Sequence, residues 1–303
     1  RQRHRRPGRA AAPAARPPAS PERAGARGAP LSSRRRLDDE LVRRGLAPSR
    51  EQAHRRIAEG RVLVSGAPAD KPSRLVAAGE PLEVLGAGPR FVSRGGDKLD
   101  AALDHFEIDV AGRSALDAGA STGGFTHCLL ERGARSVVAV DVGFGQLHER
   151  LRGDRRVTVR ERTNVRYLVL DQAVDVVVAD LSFISLGVVA PALLGPNART
   201  GADVVVLVKP QFEAGRAEAG RGRGVVRDPA VWLRVLEEVR SAFAAQGAAM
   251  MGAMVSPLTG ADGNVEFLAH LCAHSLAAPP AQGVDLAAVV DEAAQRHPPE
   301  GAR

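Results

Sequence analysis

The chain has 303 residues, 44% of them hydrophobic, enough for two domains and at least one substantial core. No apolar run approaches the roughly 18 to 20 residues that span a bilayer, and residues 1–30 carry eight arginines, one acid (Glu22) and no apolar leader core, so neither a membrane protein nor a secreted one is expected. Cys128 and Cys272 lie far apart and form no CxxC, which argues against a disulfide framework or a cysteine-held metal and for a cytoplasmic setting.

The formal net charge of +7 is concentrated in the N-terminal third and implies an anionic partner, nucleic acid first. Residues 1–33 mix Arg, Ala, Pro and Gly without periodicity and are expected to form a disordered basic arm. From Arg34 the pattern predicts a short helix over 37–44 stopped by Gly45, and a second capped by Ser49 and running to 59, where Gly60 ends it. Short strands follow at Val62–Val64 and at 82–84. Ala53 and Ile57 share one face of the second helix, leaving Arg50, His54, Arg55 and Arg56 for its surface. The run Arg36-Leu37-Asp38, then Ser49, Arg50, Ala53, Ile57, Gly60, Val62, Val64 and Gly66, resembles the S4 RNA-binding domain, here over 34–85. That resemblance implies docking on structured RNA, with Arg36, Arg50, His54, Arg55, Arg56 and Arg61 on its phosphates. Residues 86–96, rich in Gly and Pro, read as a linker that adds Arg94 to the RNA-contacting set.

From 97 to 275, β-branched runs at 114–119, 136–142, 174–183 and 202–210 alternate with helical stretches, the pattern of an α/β fold with a parallel sheet. A later strand at 248–257 follows an amphipathic helix at 229–245. The tail, 276–303, reads as peripheral, with one helix at 284–295.

Behind the first of these strands lies Asp117-Ala118-Gly119-Ala120-Ser121-Thr122-Gly123-Gly124-Phe125-Thr126. It lacks the Gly-Lys-Ser/Thr of a P-loop, and Ser121 fills the second glycine position of a dinucleotide loop. What remains is D-x-G-x-x-x-G, the methyltransferase form, in which acid and loop hold the methionine part of the cofactor. Asp141 closes the next strand, 22 residues after Gly119, where an acid can accept hydrogen bonds from adenosine ribose hydroxyls. Asp180 and Lys209 close two further strands at the same edge. Of 42 basic residues only Lys71, Lys98 and Lys209 are lysines, and an arginine cannot give up its proton as a lysine can, so the three lysines invite a chemical explanation.

The segments 93–99, 116–126, 139–147, 162–168, 179–186, 206–213 and 263–268 together resemble the TlyA, or hemolysin A, family of 2′-O-ribose rRNA methyltransferases, whose catalytic domain is a Rossmann-like class I fold of the FtsJ class. The resemblance implies S-adenosylmethionine as cofactor, cytidine in ribosomal RNA (16S or 23S) as substrate, ribosomal subunits as partners, a monomer, no metal and no membrane. It makes Lys98, Asp180, Lys209 and Glu266 a catalytic tetrad. It places Asp117, Gly119, Ala120, Ser121, Thr122, Gly123, Gly124, Phe125 and Asp141 around the cofactor, with Asn164 and Val165 flanking its adenine. Phe144 and His127 stand where many members carry Tyr and Asp. The Gly- and Arg-rich stretch 213–229 is expected to be an RNA-contacting loop. Two other readings compete, a membrane-active hemolysin and a noncatalytic ribosome-assembly factor; the first lacks a spanning segment or a cationic amphipathic helix with aromatic anchors.

Overall fold

A computed structural model describes residues 34–86, 90–215, 224–260, 262–274 and 283–298. The basic arm at 1–33 and the centre of the 213–229 loop lie outside the described residues. The chain divides into one unit up to Gly86 and a second from Ala87 onward.

In the first unit, β1 (Arg35–Arg36) leads into α1 (Leu37–Arg43) and α2 (Arg50–Ala58), followed by β2 (Val62–Val64), β3 (Ala67–Pro68), β4 (Leu75–Val76) and β5 (Leu82–Val84). The Ser49 hydroxyl accepts from Gln52 N–H at 3.2 Å and starts α2, as the sequence indicates. Leu37, Leu41, Ala53, Ile57, Val62, Val64 and Val76 are fully buried and fuse the two helices to the sheet β3-β2-β5 and the β1-β4 ladder.

Two acids of α1 are also wholly buried. Asp38 holds Arg36 at 2.8 Å, Arg50 at 3.1 Å and His54 at 2.7 Å. Glu40 holds Arg43 at 2.6 Å and Arg44 at 2.7 Å, and Arg44 also donates to the carbonyls of Glu80 and Ala78, tying α1 to the turn before β5. Arg55 pairs with Glu51, and Arg61 donates to the carbonyl of Leu85. Arg56 is a correction: expected on the surface, it is buried with Ala53 and Ile57, and its guanidinium donates to the Leu46 carbonyl at 2.5 Å. Its position three residues after Ala53 puts it on the inward face of the helix.

The second unit is built on a seven-stranded sheet of β6 (Ser114–Ala118), β7 (Ser136–Val140), β8 (Val157–Arg160), β9 (Val174–Ala179), β10 (Ala198–Val208), β11 (Ala249–Val255) and β12 (Phe267–Cys272), in the order β11-β12-β10-β9-β6-β7-β8. The strands from β10 to β8 run parallel, whereas β12 runs antiparallel to both β10 and β11, so the sheet is mixed rather than parallel throughout. Among the described residues its α-helices are α3 (Arg94–His105), α4 (Gly124–Glu131), α5 (Glu149–Arg152), α6 (Leu186–Leu194), α7 (Pro210–Glu213), α8 (Pro229–Ala244) and α9 (Leu286–Arg296). Successive strand residues go to opposite faces: Val177 and Val204 join the core under α6, α8 and α9, and Val176 and Val205 the core under α3 and α4.

Two boundaries differ from the sequence reading. Residues 94–96, read as linker, form the first turn of α3, where Gly96 seats the buried Phe91 ring so closely that a Cβ would lie 2.3 Å from it. The C-terminal helix, read as peripheral, buries Leu286, Val290 and Ala293 in the core beneath α8, because those residues share one helical face. Among the described residues no helix is long and apolar enough to cross a membrane.

Hydrogen bonds from Arg36, His54 and Arg50 hold the Asp38 carboxyl far below the usual carboxylate range, with the Arg36 bond dominant. The contribution is therefore present above the ordinary Asp value and is lost as pH falls toward the depressed one. Asp38→Asn should lower the stability of the first unit by about 2 kcal/mol at neutral pH. In denaturant melts, wild type and variant should converge on strong acidification.

Candidate active site at the carboxyl edge of the sheet

The order of strands reverses at β6, which lies between β7 and β9, and at such a switch point the loops beyond the carboxyl ends diverge and leave a crevice. The loop after β6 enters that crevice. Gly119 has φ +88°, and a Cβ on it would lie 2.4 Å from the carbonyl oxygen of Asp180, so only glycine lets the loop rest on the end of β9. Gly123, at φ +94°, caps α4 and faces Leu151, which a Cβ would meet at 2.3 Å. Gly124 lies against Ser93 and Gly95, so the starts of α3 and α4 are brought together over the loop.

Two cavities share this loop. One, of about 460 Å³, is walled by Val140, Asp141, Val142, Asn164, Val165 and the segment 181–184. The other, of about 250 Å³, is walled by Ser93, Arg94, Lys98, Ala120, Thr122, Gly124 and Phe125. Gly119, Ser121 and Asp180 line both. Asp141 ties the rim together: one carboxylate oxygen accepts from Ser121 N–H at 2.8 Å, the other from Gly143 N–H at 2.7 Å.

The four residues singled out as a tetrad form two pairs. Lys98 in α3 and Glu266 just before β12 are both buried and make a close ion pair. Glu266 is backed by Gly260, whose Cβ, if present, would stand 2.7 Å from its Oε1. Lys209, at the end of β10, places Nζ 2.6 Å from Asp180 Oδ1 in an ion contact and donates to Ser182 Oγ at 3.1 Å. Lys98 and Asp180 both reach the smaller cavity, which joins the two pairs at one place.

Asp117 takes a different position from the one expected. It is fully buried beneath the loop, off both cavity walls, where its Oδ2 accepts from the Thr126 hydroxyl at 2.6 Å and its Oδ1 has no partner. Burial pushes its carboxyl up to about 7 against the Thr126 bond, and the charges of Asp180 and Asp141 add to the rise. Gly123 likewise shapes the loop without lining a cavity. Arg94, expected on RNA, stands on the wall of the smaller cavity beside Lys98. Ser182, Thr126 and Gly260 were not legible as site residues. Ser182 alone carried a signal, its place two positions after Asp180 at a strand end.

Residues 91–272 match the family model of FtsJ-like methyltransferases, and residues 35–82 that of the S4 domain. The chain is 50% identical over 259 residues to the 16S/23S rRNA (cytidine-2′-O)-methyltransferase TlyA of Mycobacterium tuberculosis, covering 84% of this chain and 96% of that one. It is 37% identical to Hemolysin A of Brachyspira hyodysenteriae, covering 78% and 98%. A solved structure named for a hemolysin, from Streptococcus thermophilus, superposes with a TM-score of 0.69 at 39% identity, covering 87% of this chain and 97% of that one. With an S4 domain ahead of an FtsJ-like methyltransferase domain, and similarity over nearly the full length of these relatives, the chain belongs to the TlyA family of methyltransferases.

Proposed function

We propose that the protein transfers a methyl group from S-adenosylmethionine to the 2′-hydroxyl of a cytidine ribose in ribosomal RNA. The observation that carries this reading is that Lys98, paired with Glu266, and Asp180, paired with Lys209, both line the cavity floored by the Gly119 loop. A ribose hydroxyl is a very weak acid, and its oxygen becomes a nucleophile only where a cation or base manages the departing proton.

The residues present fit the cofactor. The larger cavity offers apolar walls in Val140, Val142, Val165, Leu181 and Ile184 for an adenine, and Asp141 at its rim for the ribose hydroxyls. Asp180 and Asp141 on the walls suit a group carrying positive charge. When bound, the cofactor supplies a methyl group already activated by its sulfonium charge.

The chain's own residues then do the rest. Lys209 presents its amino group to the 2′-oxygen, as ammonium to stabilise the developing alkoxide or as amine to accept its proton. Asp180 and Ser182 fix where that amino group points. Glu266 holds Lys98 at the cavity wall, and the starts of α3 and α4 line the same cavity. In the first unit, the Arg36 and Arg50 guanidinium groups and the His54 ring, gathered by Asp38, meet RNA phosphates, together with Arg55 and Arg61. On this reading the chain works where ribosomal RNA is found, in the cytoplasm.

Incorporation of a labelled methyl group into isolated ribosomal subunits tests the reading directly; no incorporation into either subunit by cofactor-bound protein overturns it. Lys209→Ala should lower kcat at least about 100-fold while leaving the affinity for S-adenosylhomocysteine unchanged. Asp117 gives a second test through stability. Its folded carboxyl titrates above the ordinary Asp value, so the folded state binds the proton more tightly and stability falls as pH rises from about 4 to about 7. Asp117→Asn should flatten that fall in chemical denaturation and leave the second unit more stable than wild type above pH 7.

A further inference from the structure

The amino edge of the same sheet carries a second built site. There a concavity of about 370 Å³ is lined by Arg113, Arg135, Arg199 and Asp175 with residues 200–202. The three arginines stand immediately before β6, immediately before β7 and at the start of β10, so parallel strands deliver all three to one place. Asp175 is the centre of the cluster. Its Oδ2 accepts from the N–H and hydroxyl of Ser114 at 2.9 and 2.7 Å, and its Oδ1 accepts from Arg199 at 2.5 Å. Although partial burial opposes ionisation, these bonds hold the carboxyl down at about 2, so it is charged throughout the neutral range. Arg135 approaches it at 4.0 Å. Arg113 donates to the Asp175 carbonyl at 2.6 Å and pairs with Asp203 at 2.7 Å.

The arrangement is more than a structural staple. Three guanidinium groups, with the His270 ring sharing Asp203, face two carboxylates, which leaves at least one positive charge in excess. The side chains of Arg135 and Arg199 remain 63% and 49% exposed, so their unused N–H donors point to solvent around a concave floor. One excess charge and a fan of fixed donors match a singly charged phosphodiester. Resting on the reading that this chain acts on ribosomal RNA, we infer that the Arg113–Arg135–Arg199 concavity binds a backbone phosphodiester of the RNA substrate, away from the nucleotide that is methylated.

The position decides what kind of RNA can reach it. Asp175 is the second residue of the strand whose other end delivers Asp180, five residues on, a separation of roughly 17 Å along β9. A short single strand held in the active-site crevice does not extend to the opposite edge of the sheet. A folded ribosomal RNA, with a neighbouring helix passing under the domain, does. The site therefore adds affinity for the structured substrate and nothing to the chemical step.

The test measures binding of the full chain to ribosomal RNA transcripts across a range of salt concentrations. It compares wild type with Arg135→Gln/Arg199→Gln and with a control, Arg155→Gln/Arg240→Gln, that neutralises two other exposed arginines of the same unit. The Arg135/Arg199 variant should bind roughly fivefold more weakly, and the slope of log affinity against log salt should shrink by about one, while the control changes neither. Its affinity for S-adenosylhomocysteine, its kcat at saturating RNA and its affinity for a short target oligonucleotide should stay at wild-type values. The single variant Arg135→Gln, which loses only a 4.0 Å contact, should show the same direction without a change in thermal midpoint. Equal salt slopes in wild type and variant overturn the inference, as does weaker binding that merely follows a loss of fold. Calorimetric binding of inorganic phosphate that is abolished by the variant, with RNA affinity unchanged, would make this a free-anion site instead. A wild-type protein that binds no ribosomal RNA overturns both this inference and the proposed function, whereas normal binding by wild type and variant alike overturns this inference alone.

Discussion

The contact between the Gly119 loop and the carbonyl of Asp180 sets the position of nearly every group in the catalytic unit. Because no side chain intervenes, the end of β6 can lie against the end of β9, and the Asp180 N–H donates back to Ala118 at 3.0 Å. From that seam the loop turns upward to meet Asp141, whose two carboxylate oxygens fasten Ser121 on one side and Gly143 on the other. The start of α4 then falls on the start of α3, which is how Lys98, distant in sequence from Asp180, arrives at the same cavity. A Gly119→Ala change would force the loop off this seam, and no rearrangement of a flexible side chain could absorb it, since the obstacle is backbone.

Placing charge inside this frame carries a cost that explains the pairing. Removing an ammonium or a carboxylate from water is expensive, and a single buried partner left behind is worse than none. Lys98 and Glu266 answer one another across 168 residues of chain, and Lys209 and Asp180 do so at the ends of adjacent strands. Such pairs are poor sources of stability compared with well-packed apolar side chains, so their value lies in holding charged atoms at defined points. In a chain with 39 arginines, two of the three lysines are held in these pairs, Lys98 on the cavity wall and Lys209 against the cavity residue Asp180, where a compact ammonium can sit against a carboxylate and still meet a small substrate atom.

Local signals made much of this legible. Ser49, Gly45 and Gly60 marked the helices of the first unit to within a residue, since caps and left-handed glycines act over one turn. The β-branched runs marked four of the parallel strands because a strand buried on both faces must be apolar throughout. β8 and β12 escaped notice for opposite reasons. Val157–Arg160 is an edge strand whose Thr158 and Arg160 dilute the pattern, and Phe267–Cys272 is interrupted by His270, which Asp203 on β10 pairs with in the fold. The start of α3 was hidden by Gly95 and Gly96, which read as linker until Phe91 is seen to need the space over Gly96. The inward turn of Arg56 depends on a carbonyl ten residues away, a partner that no periodicity announces.

One arrangement recurs at separate places in the molecule. A carboxylate fixed by the fold stands behind basic side chains that remain at least partly open to solvent: Asp38 behind Arg36 and Arg50, Asp175 behind Arg199 and Arg135, Asp180 behind Lys209. A long arginine side chain held this way has already lost much of its rotamer freedom before any ligand arrives, so less is lost on binding. The backing charge also lowers the net attraction of each cluster for anions in general. What remains favours an anion of matching shape and single charge over a diffuse one, and that is the discrimination needed by a strongly basic protein surrounded by polyanions. Net charge alone would bring such a chain to any nucleic acid. Carboxylates set behind its arginines are what would make it selective for a folded one.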